Sequence, residues 1–174
     1  MLSRVADSIY WMARYVERVE NLARFIHVTL NLMLDLPEGS TEQWQPLVST
    51  TGDQKWFAEH YGAATQENVI RFLTFDRDYD NSIQVSLYRA RENARSVRET
   101  ISSEMWEHLN QFYYMVKDAS RDNSALDSPH DFFQQIKMAS HLFKGITDGT
   151  MSHGEGWHFA RMGRLLERAD KTSR

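Results

Sequence analysis

Leu2-Ser3-Arg4-Val5-Ala6-Asp7-Ser8-Ile9-Tyr10-Trp11-Met12-Ala13-Arg14-Tyr15-Val16-Glu17-Arg18-Val19-Glu20-Asn21-Leu22-Ala23-Arg24-Phe25-Ile26-His27-Val28-Thr29-Leu30-Asn31-Leu32-Met33 decides the fold. Leu2, Val5, Ile9, Met12, Val16, Val19, Ala23, Ile26, Leu30 and Met33 follow one another at steps of three and four residues. That period puts ten apolar side chains on one helix face, the pattern of a bundle or coiled-coil seam. Ser3 is placed to cap the start. Leu36-Pro37-Glu38-Gly39-Ser40 is placed to stop the helix.

The same period returns further along. Ile83, Leu87, Ala90, Ala94, Val97 and Ile101 mark a second long helix, with Asn81 and Gln84 spaced as a capping box. From Ser103 the chain either restarts as a new helix or runs on with a kink, burying Trp106, Leu109, Phe112, Tyr113 and Val116. Asp118 to Ser128 reads as a polar connection. Ser128-Pro129 opens another helix with a cap and a proline in the first turn, seamed by Phe132, Ile136, Ala139, Phe143 and Ile146 and stopped at Asp148-Gly149. Ser152 and Glu155 have capping-box spacing ahead of a last helix, with Phe159, Met162, Leu166 and Ala169 as its inward face. Between 41 and 80 the pattern shortens into three helices, Glu42 to Val48, Gln54 to Tyr61 and Gln66 to Phe75. No segment has the two-residue alternation of a strand. The expected fold is all-α, a bundle of four to five long helices with a short-helix excursion.

Composition narrows the function classes. The 174 residues suit one domain with a sizeable core. A net charge of −4 with both signs mixed argues against nucleic acid as the partner. The absence of cysteine excludes disulfides, thiolate metal sites and cysteine nucleophiles, and agrees with a cytoplasmic setting. No apolar run has the length of a membrane span. Neither a phosphate-cradling glycine loop nor a Gly-x-Ser-x-Gly elbow is present, so an autonomous ATP-using enzyme is not indicated. Glu155-Gly156-Trp157-His158 has the spacing used in di-iron bundles, but no second copy accompanies it, and no metal or cofactor is expected.

The polar faces carry the remaining signal. Arg14-Tyr15-Val16-Glu17-Arg18-Val19-Glu20-Asn21 has a near copy in Arg164-Leu165-Leu166-Glu167-Arg168-Ala169-Asp170. A shift of 150 residues aligns Met12, Arg14, Glu17, Arg18 and Arg24 with Met162, Arg164, Glu167, Arg168 and Arg174, five identities in fourteen positions. This match points to internal duplication. Arg14, Glu17, Arg18 and Asn21 share a face directed largely away from the Val16/Val19 seam. That face has three readings. It can be a solvated stripe of ion pairs, each adding about 0.2–0.5 kcal/mol. It can be a clamp in which Glu17 or Glu167 takes an arginine fork from a neighbouring helix. It can be a ligand site that also takes in Asn21, with Arg14, Arg18, Arg164 and Arg168 for the carboxylate or phosphate of a peptide or nucleotide-activated ligand, and Glu17, Glu20, Glu167 and Asp170 for an amine or a metal.

Three motifs, taken in order, carry a family resemblance. Leu2 to Arg24, then Arg89-Ala90-Arg91-Glu92-Asn93-Ala94-Arg95 with Glu104-Met105-Trp106-Glu107 and Asn110, then Gly163 to Arg174, resemble the bacterial Alpha-E domain family. The resemblance implies a single helical domain over residues 1–174, forming the N-terminal half of a longer Alpha-E protein. It also implies a genomic setting beside ATP-grasp ligases and transglutaminase-like peptidases, and hence a role in making or handling a peptide or peptide tag. Three functions fit: an accessory module binding such an enzyme or its peptide, a transferase or ligase component with the Glu-Arg turns lining its active site, or a structural oligomerisation bundle. A bundle lacking covering helices would bury its uncovered face by forming a homo-oligomer.

Overall fold

The computed structural model describes residues 1–35, 43–122 and 124–173. Nine helices occupy them: α1 (Ser3–Leu34), α2 (Gln45–Thr51), α3 (Gln54–Tyr61), α4 (Gln66–Phe75), α5 (Ile83–Ser96), α6 (Ser103–Asp122), α7 (Ser124–Asp127), α8 (Pro129–Thr150) and α9 (Glu155–Thr172). Among the described residues there is no strand, and no helix is long and apolar enough to cross a membrane. The expected stop at Leu36 to Ser40 lies outside the described residues, as does the Glu42 start expected for the second helix.

The long helices α1, α5, α6 and α8 pack in a ring, each against the next. Ser96 near the end of α5 meets Ser8 near the start of α1, with their hydroxyls 3.1 Å apart. Arg91 reaches Asn110 across α5 and α6, and His108 reaches the Ala139 carbonyl across α6 and α8. Late residues on one helix meet early residues on the next, so neighbours are antiparallel and the ring is an up-and-down four-helix bundle. Its core holds Ile9, Met12, Val16, Val19, Leu87, Ala90, Ala94, Met105, Leu109, Phe133, Ile136 and Phe143. Ala90 and Ala94 are fully buried. Small side chains there let α1 and α5 lie close. An aromatic cluster of Trp56, Phe57, Tyr61, Phe72 and Tyr79 closes the short-helix excursion.

Local chemistry sets the boundaries. Thr65 caps α4 by accepting from the Asn68 amide at 3.2 Å. Ser82, not Asn81, caps α5, accepting from the Val85 amide. This leaves the Asn81 carboxamide to accept from Arg18. The chain does break after α5, and Ser102 caps the restart through the Met105 amide. Val97 and Ile101 stay buried in the intervening turns. Ser3 does not cap α1, whose first residue it is, and no side chain caps that end. The stretch read as a polar connection from Asp118 is helical to Asp122 and again over Ser124–Asp127.

The fifth long helix corrects the sequence reading most. α9 lies outside the ring and packs against α1. Its buried residues are Ala160, Gly163 and Glu167. Met162 and Leu166, expected inward, are 43% and 49% exposed, and Ala169 is exposed too. The face with small residues is buried in place of the apolar one because α9 meets α1 along the latter's polar stripe at close range. A Cβ placed on Gly163 would sit 2.3 Å from the Tyr10 carbonyl oxygen. Gly163→Ala is therefore expected to destabilise the protein, although alanine gains about 1 kcal/mol over glycine in an open helix. Gly145→Ala on α8, with nothing within 4 Å of its Cβ, should raise the denaturation midpoint; paired urea titrations check both signs.

Candidate functional site

The two Glu-Arg turns meet. Arg18 sends Nε to Glu167 Oε1 at 2.7 Å and Nη2 to Oε2 at 3.1 Å. Arg14 adds its Nε to Glu167 Oε2 at 2.7 Å. In the other direction Arg168 sends Nε to Glu17 Oε1 at 2.8 Å. Partners across the interface are 149, 151 and 153 residues apart in sequence. Farther back, Met1 pairs with Glu155, 154 residues away, and the Tyr10 carbonyl lies against Gly163; this near-constant offset along the interface means that α1 and α9 run parallel, with equivalent turns side by side. Glu17 and Glu167 are 1% and 0% exposed. The face of α1 directed away from the Val16/Val19 seam is thus covered by α9, and the arginine forks on Glu17 and Glu167 are those of the clamp reading, not of a solvated stripe. Pairing within one helix, Arg14 with Glu17 or Glu17 with Asn21, gives way to pairing between helices.

The exchange is not symmetrical. Arg164 occupies the place of Arg14, yet its guanidinium is directed to Asp148, 3.8 Å away, and its Nε is buried without a hydrogen bond among the described residues. Lys144 of α8 takes its role, with Nζ 2.8 Å from Glu17 Oε2. Lys144 also pairs with Glu20, which is fully buried and further held by Arg24 and His141. Asn21 is buried with its Nδ2 lacking a partner among the described residues. Asp170 sits 3.3 Å from the Lys171 ammonium. Lys144, His141, Tyr10 and Asn81 are not legible in the sequence as members of this cluster. Lys144 follows the seam residue Phe143 directly, a position that flanks a core face, and nothing in the sequence aligns it with Glu17.

Burial works to raise the Glu167 carboxyl, and the hydrogen bonds from Arg18 and Arg14 outweigh it, so its pKa lies below the ordinary 4.5. For Glu20 burial is likewise outweighed, here by Lys144, His141 and Arg24. The bond to Glu17 raises the Arg168 guanidinium further. Glu20, Glu167 and Arg168 therefore stay charged at neutral pH.

Two clefts flank the C-terminal half of α9. One, of about 230 Å³, is lined by Arg14, Arg18, Thr50, Tyr79, Asn81 and Asp170. The other, of about 470 Å³, is lined by Glu20, Asn21, Arg24, His141, Lys144 and Arg168. Arg18 and Arg168 face different clefts, and Glu17 and Glu167 line neither. The four signature residues do not converge on one open cavity. Among the described residues no group of three or more histidines and carboxylates is placed to hold a metal. Glu155 instead pairs with the N-terminal ammonium at 2.7 Å.

These features define a helical-bundle domain in which two Glu-Arg turns lock an added helix onto the first one. The chain belongs to the Alpha-E family, described as a predicted alpha-helical domain with a conserved ER motif, which matches residues 1–174. It is also similar to uncharacterised proteins of Mycobacterium bovis and Mycobacterium tuberculosis, 26% identical over 183 aligned residues. The match covers 95% of this chain and 21% of each relative, so the chain spans about a fifth of their length. No solved structure matches it.

Glu167→Gln leaves two arginines facing a neutral amide, and breaking a buried pair costs about 3 kcal/mol. A loss of that size in the unfolding free energy from urea titration is expected, whereas Glu155→Gln, at an exposed pair, should change it little. The pH dependence follows from lowered carboxyl values. Stability from Glu20 and Glu167 is complete above 4.5 and is lost as pH falls through their lower folded values. Urea midpoints measured from pH 7 to pH 3 should decline at the acid end, and Glu167→Gln should remove part of that decline.

Proposed function

We propose that this protein is an accessory helical module of a bacterial peptide-ligation or peptide-tagging system, binding an ATP-grasp-type ligase, a transglutaminase-like protein or their peptide in the cytoplasm. The observation that carries this reading is the sealing of both Glu-Arg turns between α1 and α9. Side chains engaged in holding two helices together are not free to turn over a substrate. A catalytic reading needs them open to one cavity, and Arg18 and Arg168 open to separate clefts.

Ligand contact then falls to the cleft margins. Arg14, Arg18 and Asp170 line one side. Glu20, Asn21 and Arg168 line the other, beside Arg24 and Lys144, and this concentration of cations suits a peptide carboxylate. On this reading the two turns are also copies of one ancestral element, since equivalent positions exchange partners across a parallel interface.

The test is affinity. The chain, immobilised and probed with an ATP-grasp-type ligase and a transglutaminase-like protein of the same bacterium, should retain at least one of them. Arg24→Glu, at the exposed margin of the second cleft, should weaken retention of a peptide product about ten-fold or more, on the scale of lost charge-assisted contacts. Absence of binding to either enzyme and to the product would remove the proposal. Turnover of substrate by the isolated chain would replace it with the enzymatic alternative.

A further inference from the structure

A cleft of about 410 Å³ lies between α5 and α6 and shares no lining residue with the two beside α9. Its size falls within the range of about 300–1,000 Å³ usual for small-molecule sites. Helical spacing builds its walls. Gln84 and Tyr88 stand one turn apart near the start of α5, and Tyr113 and Lys117 stand one turn apart in the second half of α6. The two helices are antiparallel, so these pairs come together, and the Tyr88 and Tyr113 rings are 6.3 Å apart with a tilt of 50°. The turn between α4 and α5 adds Arg77 and Asp80.

Neither the Glu-Arg clamp nor the bundle core accounts for three features of this cleft. The first is an orphaned acceptor. Gln84 is 7% exposed, and its Oε1 is buried without a hydrogen bond among the described residues. An unpaired buried acceptor is unfavourable, and a ligand N–H in the cleft supplies the partner. The second is an open ring. Tyr88 is 50% exposed, while Arg91 and Lys117 both lie over Tyr113. A planar group stacked on Tyr88 removes its ring from water. The third is charge. Arg89 is paired with Asp80, whereas Arg77 and Lys117 have no ion pair among the described residues. The cleft thus keeps two unanswered cations in a chain whose net charge is −4.

We propose that this cleft binds an adenine mononucleotide. The base stacks on Tyr88, its amino edge pairs with the Gln84 carboxamide, and its phosphate sits between Arg77 and Lys117. Adenine presents a donor and an acceptor side by side, the pattern that a glutamine amide matches with its own oxygen and nitrogen. A phosphate monoester carries a charge of about −1.5 to −2 at pH 7, which answers both cations, whereas a carboxylate answers one. The site is one of binding, with no bond made or broken, and it requires no ligase or peptide at the clefts beside α9.

Isothermal titration calorimetry on the 174-residue chain tests it, with adenosine monophosphate as the probe. One molecule is expected to bind per chain. Adenosine and ribose 5-phosphate, each carrying half of the ligand, should bind about ten-fold or more weakly. Tyr88→Ala should weaken adenosine monophosphate about ten-fold or more, on the scale of a lost base–aromatic stack. Lys117→Gln should do so through loss of a charge-assisted contact. Lys55→Gln, on the solvent face of α3 with a side chain 92% exposed, should change nothing. Unaltered urea midpoints show that the variants are folded, and the comparison of ligands on the unmodified chain is independent of folding. Four results would overturn the proposal. One is no binding of adenosine monophosphate at millimolar concentration. Another is equal affinity for ribose 5-phosphate, which would leave only an attraction for anions. The third is binding that neither Tyr88→Ala nor Lys117→Gln weakens, which would place the nucleotide elsewhere. The last is affinity for indole-3-acetate equal to or above that for adenosine monophosphate, which would assign the cleft to an aromatic carboxylate.

Discussion

Two carboxylates removed from water hold this structure to its shape. Glu17 and Glu167 lie in the seam between α1 and α9, each answered by cations from across the interface. Burying a carboxylate costs several kcal/mol before its partners are counted. The arginine forks, with Lys144, offset that cost only in one register. A slip of α9 by one residue would carry Glu167 away from Arg14 and Arg18, and would press the Gly163 backbone against something other than the Tyr10 carbonyl. The interface therefore specifies position more than it adds stability.

The burden on α1 follows from this. It serves the four-helix bundle with one face and α9 with another, so it is buried on more sides than an ordinary bundle helix. That is why Glu17, Glu20 and Asn21 are buried alongside Met12 and Val16. A helix covered this way needs polar residues whose partners come from every neighbour. Arg18 reaches α9 and the entry of α5, while Glu20 reaches α8 and its own Arg24. Removing one member unsettles several helices at once.

The bundle is legible in the sequence because its helices carry strict three-and-four periods. Ile9 to Leu30 are buried as the period requires, and the α3 and α4 boundaries coincide with the pattern. The clamp is half legible. Repetition of Arg-x-x-Glu-Arg marks Glu17 and Glu167 for an arginine fork, and the fork is there. Lys144 is hidden, because a lysine next to a seam looks like any solvated flank. The inward face of α9 escapes the pattern for a physical reason. Periodicity identifies the face a helix would bury in an apolar core, and α9 buries instead the face that fits closest to α1, made of Gly163, Ala160 and Glu167. Propensity and pattern carry no term for a neighbour that selects by charge and backbone distance.

Parallel alignment has a consequence for the order of events in folding. The two helices run in the same direction, with Tyr10 against Gly163 and Arg14 against Glu167 one after the other along the interface. α1, α5, α6 and α8 alternate in direction, so a chain that has traversed all four is back at the end from which it started. α9 can then run alongside α1. The contacts that neutralise Glu17 come from Lys144 and Arg168, more than a hundred residues downstream. Bringing such distant segments together is the slow, entropically costly part of assembly. On the ribosome the first helix thus emerges with carboxylates whose partners have not yet been made. The joint cannot close until α9 has been made, after every helix of the ring, so Glu17 gains its last partner from the helix that follows them.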